Sequence, residues 1–471
     1  MINIRRFLTR GAFAVLGHEW FKFFIRNKFV ATICAEMLIR KLKKVATANS
    51  ADNLNVLVFS AFRYKQDLRC LAETGKYSFW SIDAGLMTSI NAIFRKRGLT
   101  EADNYFAETN PEVLRLRIAQ QQFLMHVLTR MQKRLDLDVI ITPAIHYRSE
   151  YDWCRAGVLA KLPTVAIHKE FTLIGQEHIR RRVKDYLDNR TIFTGSRVLT
   201  TNETGKNLFS KAGIHDPSRI EMVGLPRADQ VLGPDSPFRI PGDRKIATLF
   251  SFGHYSGEME DIPVDRRSHY FSWGNQDGFV KLVAGTHTAF AKAAIDRPDF
   301  QFVIKPKYVT KEWAEVIEEL VFEGTGRSLH EIPNLRIVDD EAPSLMRDSS
   351  VVVGFNSTVV IESRILNRPT LIPMFGEAKG ALNRFVYFNE FLSLFETPNS
   401  AEELHKRIVE LVDGKATTQG DDSNELERFV RKHLGYADGR AGERVYEQLK
   451  IAIGDAQAMY DKVAIANAGR G

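Results

Sequence analysis

Asn356, Ser357 and Thr358, with Glu362 one helical turn on, form the group of residues best placed to do chemistry. They follow the β-branched run 351–353, and Gly354-Phe355 breaks that run before a helical pattern over 358–366. A strand, a tight turn and a helix start bring backbone N–H groups and the positive end of a helix dipole into one crevice, which suits a phosphate. Asn356 or Ser357 is a favourable N-cap. Thr358 and Glu362 are four residues apart and share one helix face.

Three further loops of the second half follow apolar strands. The first, Ser251-Phe252-Gly253-His254-Tyr255-Ser256-Gly257, offers glycines that let backbone approach a ligand, and Ser251 and Gly253 are its candidate contacts. Lys305-Pro306-Lys307 offers two cations that would neutralise phosphate. The acidic Asp339-Asp340-Glu341 reads as a helix cap. In the first half, His168-Lys169-Glu170 ends a buried strand. A Glu170 carboxylate there would deprotonate a hydroxyl, and a His168 imidazole would assist or bind phosphate. Asp136-Leu137-Asp138 precedes its strand and reads as a helix-to-strand turn, not a metal site. Histidines and cysteines show no metal spacing, and no metal is expected. No P-loop, nucleophile elbow or dinucleotide fingerprint occurs.

These loops need elements to hold them. Apolar runs at 56–60, 139–142, 164–167 and 197–200 predict strands, with helices over 111–135, 150–162, 176–189 and 203–212 between or beside them. Four prolines and two glycines within 226–244 mark a joint. A second set follows, with strands at 245–252, 300–304, 335–338, 351–353 and 368–373, and closing helices at 401–413 and 424–449. Strands alternating with helices imply parallel sheets. The expected fold class is α/β, with two doubly wound domains facing across a cleft. The expected boundaries are an arm at 1–45, a first domain at 46–235, a second at 236–425, and closing helices at 426–471.

The net charge of +7 is uneven. Residues 1–45 hold ten basic residues against Glu19 and Glu36, a net +8, so the rest of the chain carries −1. That distribution argues against nucleic-acid binding, which needs a basic face on the folded body. The same arm carries Phe7, Phe13, Trp20, Phe21, Phe23, Phe24 and Phe29, and its charge-free runs are too short to span a bilayer. A basic aromatic segment predicts adsorption to an anionic membrane surface. Three scattered cysteines give no disulfide framework and point to a reducing compartment.

The order of motifs, IHKE, GLPRAD, LFSF, KPK, then GFNSTVVIES and NRPTLIP, resembles bacterial GT-B glycosyltransferases of surface and capsular polysaccharide synthesis. It is also similar to the Kdo-, polysialyl- and CDP-glycerol transferase groups. The resemblance spans residues 56–373. It implies a metal-independent GT-B-like transferase at the cytoplasmic face of an inner membrane, acting in capsule or lipopolysaccharide synthesis with no cofactor beyond its nucleotide-sugar donor. The sugar would pass to a growing surface polysaccharide or glycolipid acceptor. It also implies that Ser357 and Thr358 hold the donor phosphate, Glu362 the ribose, and Glu170 the acceptor proton. Members with CMP or CDP donors, the favoured type, place a His-Pro pair where this chain has Lys305-Pro306-Lys307. A CDP-glycerol-type polyol-phosphate transferase, a non-catalytic assembly scaffold and a sugar-nucleotide epimerase are the competing expectations.

Overall fold

The computed structural model describes residues 28–50, 52–94, 108–169, 176–233, 236, 238, 246–257, 277–307 and 310–468. Two open sheets organise them. The first has seven strands in the order β1-β3-β2-β4-β5-β6-β7. These are β1 (Lys43–Ala46), β2 (Leu54–Phe59), β3 (Tyr77–Ile82), β4 (Val139–Thr142), β5 (Thr164–His168), β6 (Arg197–Thr200) and β7 (Ile220–Met222). All pairings are parallel except β1 with β3. The second sheet is wholly parallel, in the order β10-β9-β8-β11-β12. Its strands are β8 (Ile246–Phe250), β9 (Gln301–Lys305), β10 (Leu335–Ile337), β11 (Ser349–Val353) and β12 (Thr370–Leu371). The two-domain doubly wound α/β class expected from the sequence is therefore present.

Burial on both faces explains the continuous apolar strands. In β11, Val351 and Val353 pack with the helix Val280–Asp296, while Val352 faces Leu345 and Met346 of the helix Ala342–Asp348. In the first sheet, Leu57, Phe59 and Ile140 face one helical layer, and Val56, Val58 and Ile141 face the other. The helix Pro111–Leu135 is fixed at its start by Asn110, whose side chain accepts from Glu112 N and Val113 N, with proline at the first turn.

Several elements differ from the sequence expectation, and β3, β7 and the helices Lys65–Glu73 and Ala84–Ile93 match no expected element. The helix Lys28–Ile39 buries Ala31, Ala35 and Leu38 against the helix Pro111–Leu135, and β1 joins the first sheet. This part of the expected arm is thus built into the first domain, because small residues on one helix face permit close packing. The closing helix expected over 424–449 is two helices, Ser423–Leu434 and Ala441–Ala468. Gly435 at φ 81° and Gly439 at φ 65° carry the turn between them. The second of these helices returns to the first domain, where Val445, Tyr446 and Leu449 cover the Val56 face of the first sheet.

The chain thus crosses between domains twice, at 225–232 and 435–441. Asp229 ties the crossings together by accepting from Ala441 N at 3.0 Å and Gly442 N at 2.7 Å. Burial pushes its carboxyl up to about 6 against those two bonds. Asn202 Nδ2 adds a bond to His433 O at 2.9 Å.

Candidate functional site

In an open parallel sheet, ligands sit beyond the carboxyl ends of strands where the strand order reverses. In the second sheet that point lies between β8 and β11. The register pairs Val353 with Leu249, and Phe250 with Lys305, so the ends of β8, β9 and β11 lie level. Their loops meet there. The Phe252 and Phe355 rings lie 5.0 Å apart. Ser251 N donates to Lys305 O at 3.0 Å. Asn356 Nδ2 donates to Phe385 O at 2.8 Å, and Asn356 Oδ1 accepts from Tyr387 N at 3.0 Å. Asn356 adopts φ 46°, a left-handed conformation that asparagine tolerates better than most residues. Its side chain thus fastens loops together and is not turned to a ligand.

Ser357 is the N-cap of the helix Thr358–Ile365, accepting from Val359 N at 3.5 Å. The Thr358 hydroxyl donates to the Glu362 carboxylate one turn on. Ser357 and Thr358 are half-buried and sit at the crevice, whereas Glu362 is 6 % exposed. Ser251 is bound internally. Its Oγ lies 2.9 Å from His287 Nε2, and His287 Nδ1 lies 2.8 Å from Val283 O. The carbonyl can only accept, so Nδ1 carries the proton and Nε2 accepts from Ser251. Burial holds His287 down at about 4, so the pair is neutral near pH 7. Gly253 is buried beside it, and burial also holds His254 down at about 4.

Lys305 reaches across to Asp339, Nζ to Oδ1 at 2.9 Å, and to Pro306 O at 3.1 Å. The acidic loop therefore serves as the lysine's counter-ion. Lys307 is exposed at the same edge. Among the described residues no cluster of ligating side chains could hold a metal. Asp136 caps its helix in a left-handed conformation, and Asp138 accepts from Asn55 N at 2.7 Å.

The corresponding reversal in the first sheet lies between β2 and β4. There Ser60 and Thr142 both donate to Glu150, a carboxylate 2 % exposed at the start of the helix Arg148–Leu159. Burial raises its pKa, against those two bonds and the nearby Arg63. Nothing in the local pattern singled out Glu150. The signal was its place in the first turn of the helix after a switch-point strand. His168 ends β5, buried, with its ring 5.7 Å from His146 and 4.7 Å from Phe209. Burial keeps it well below its usual pKa. Glu170 lies outside the described residues.

The two carboxyl edges face each other. Arg69, on the helix Lys65–Glu73 that follows β2, meets Glu341 beyond β10 at 2.5 Å. Arg227, on the first crossing, donates from its backbone N–H to Asp67 at 3.2 Å and from Nη1 at 3.1 Å. It also faces Glu362 electrostatically. One guanidinium thus lies between carboxylates of the two domains. Burial pushes Glu362 up to about 7, against Arg227 and the Thr358 bond, and Asp67 adds to the rise.

No family model matches the chain, and no curated protein matches it. Among solved structures, UDP-GlcNAc 2-epimerase from Neisseria meningitidis bound to UDP-GlcNAc is similar at TM-score 0.44 and 13 % identity, over 84 % of this chain and 99 % of that one. The wall teichoic acid polymerase TagF gives 0.45 and 11 %, over 90 % and 94 %. Identities this low compare chain folds only.

Proposed function

We propose that the chain is a GT-B-like glycosyltransferase that takes a sugar from a nucleotide-activated donor and passes it to a growing glycan or glycolipid. One observation carries the reading. The loops after β8, β9 and β11 converge at a strand-order reversal, with the start of the helix Thr358–Ile365 among them. In this reading Ser357 and Thr358 hold the donor phosphate, where negative charge grows as the bond to the sugar breaks. Lys307 supplies further positive charge, and Lys305 does so by leaving Asp339. Glu362 reaches the ribose only if Arg227 stays on Asp67. Glu170 deprotonates the acceptor hydroxyl, and His168 at the end of β5 borders that side.

Thermal unfolding of the full chain with CMP, CDP, UDP, GDP or dTDP tests donor binding, because a ligand of the folded state raises the midpoint by mass action. One nucleotide should stand out, and the matching sugar donor should be consumed only with an acceptor present. A shift by none of them overturns the reading. Consumption of CDP-glycerol alone would assign polyol-phosphate transfer instead. Interconversion of a sugar nucleotide without acceptor would assign epimerisation, and nucleotide binding without turnover a scaffold.

We further propose that residues 1–45 hold the protein at an anionic membrane surface, the inner face of a bacterial membrane in this reading. No helix among the described residues is long and apolar enough to cross a bilayer. Each basic residue near such a surface contributes about 1 kcal/mol, and salt screens it. Full-length protein should sediment with phosphatidylserine vesicles at low salt and release at high salt. Equal sedimentation with neutral vesicles would remove the charge argument.

A further inference from the structure

Beyond β2 the chain makes a strained turn. Ser60 adopts φ 46°, which a residue with a side chain occupies only where its surroundings hold it. Its bond to buried Glu150 and the bond from Arg63 N to Ser60 O at 2.9 Å do so. The turn presents Phe62 and Arg63 at the first-domain reversal. Phe62 is 68 % exposed. The Arg63 guanidinium lies 5.0 Å from the Phe62 ring centroid and 4.2 Å from that of Tyr147, in the loop after β4. Stacking orients its plane without using its hydrogen-bond donors. Arg63 is exposed and has no ion pair or hydrogen bond from its side chain among the described residues. Glu150, whose carboxyl feels Arg63, is buried and accepts from Ser60 and Thr142. Lys65 is exposed two residues on.

We infer that Phe62, Arg63 and Tyr147 form a subsite for an acidic saccharide. Its carboxylate or phosphate is met by the Arg63 fork, and its ring is stacked on Phe62. A preoriented guanidinium matches both oxyanions bidentately. This names the acceptor class of the proposed transferase and takes its functional meaning from that reading, though binding itself does not depend on it.

Titration calorimetry of the full chain, with and without the nucleotide that gives the largest thermal shift, tests the subsite. The probes are oligogalacturonate, an oligomer of glycerol phosphate, and neutral maltohexaose. Either acidic chain should bind roughly tenfold or more tightly than maltohexaose. Which one does so identifies the anion as carboxylate or phosphate. Arg63→Ala should remove that preference, Arg63→Glu should reverse it, and Phe62→Ala should weaken the acidic chain by roughly three- to tenfold. Nucleotide binding should be unchanged in all three. Equal binding of acidic and neutral chains, no binding of either acidic chain, or an unaltered Arg63→Ala overturns the subsite. Loss of nucleotide affinity in Arg63→Ala also overturns it, assigning the guanidinium to the donor. Acidic binding in a protein that ignores every nucleotide keeps the subsite and fails the transferase reading.

Discussion

Ser357→Ala combined with Thr358→Ala abolishes transfer while the protein stays folded. The Ser357 cap bond is long, at 3.5 Å, so its loss costs about 1 kcal/mol or less of stability. The two hydroxyls flank the start of the helix where the leaving phosphate is placed; Ser357 donates there directly and Thr358 by leaving Glu362, and each removed donor lowers turnover by roughly 10²–10³-fold. Losing the Thr358 bond also raises the pKa of Glu362 further, since that bond favours the carboxylate. Turnover and thermal unfolding, measured on one preparation, separate these effects. A double variant that unfolds normally and still turns over within a few-fold of the parent places the donor elsewhere.

Arg227→Ala is expected to be the most destabilising single exchange at the domain junction. It leaves Asp67 and Glu362 facing each other without their shared cation. Breaking a buried pair this way removes roughly 3–5 kcal/mol. Urea unfolding should show that loss near neutral pH. A change under about 1 kcal/mol would mean that the guanidinium is replaceable by solvent.

Glu362 adds a pH signature. Its pKa is about 7 in the fold against the ordinary 4.5, so the folded state holds its proton more tightly. Its contribution is fully present below about pH 4.5 and is lost as pH rises to about 7, by on the order of 3 kcal/mol. Glu362→Gln should therefore flatten that part of the profile and exceed the parent in stability at pH 8. A parallel pair of profiles would remove the assignment.

All strands but β1, β3 and β7 were legible because both faces of each sheet are covered, which leaves unbroken runs such as the VIIT of β4. The helix Pro111–Leu135 was legible from its cap and its proline. What escaped local reading depends on distant partners. Asp67 and Arg227 are 160 residues apart, and neither shows a pattern of its own. Lys305 is an unremarkable strand-end lysine until Asp339 is seen beside it. Asn356 has the residue type of a ligand contact, but its amide is committed to the 385–387 loop. The helix Lys28–Ile39 lies in a stretch whose charges and aromatics read as surface. Its three small or apolar buried residues, Ala31, Ala35 and Leu38, are too few to outweigh them.

The returning helix also fixes an order of events in biosynthesis. Tyr446 bonds to Asp52 O across 394 residues and stacks edge-on to Tyr77, while Val445 and Leu449 close the same face of the first sheet. A nascent chain shorter than about residue 441 covers Val56, Val58 and Tyr77 only with Tyr64 and the helix Lys65–Glu73, through Leu68 and Leu71, and lacks the rest of the layer. Residues 246–434, by contrast, contain every strand of the second sheet and most of its core. The domain made first is completed last, and the part of its apolar face that Val445, Tyr446 and Leu449 later close is open to chaperones throughout synthesis of the other.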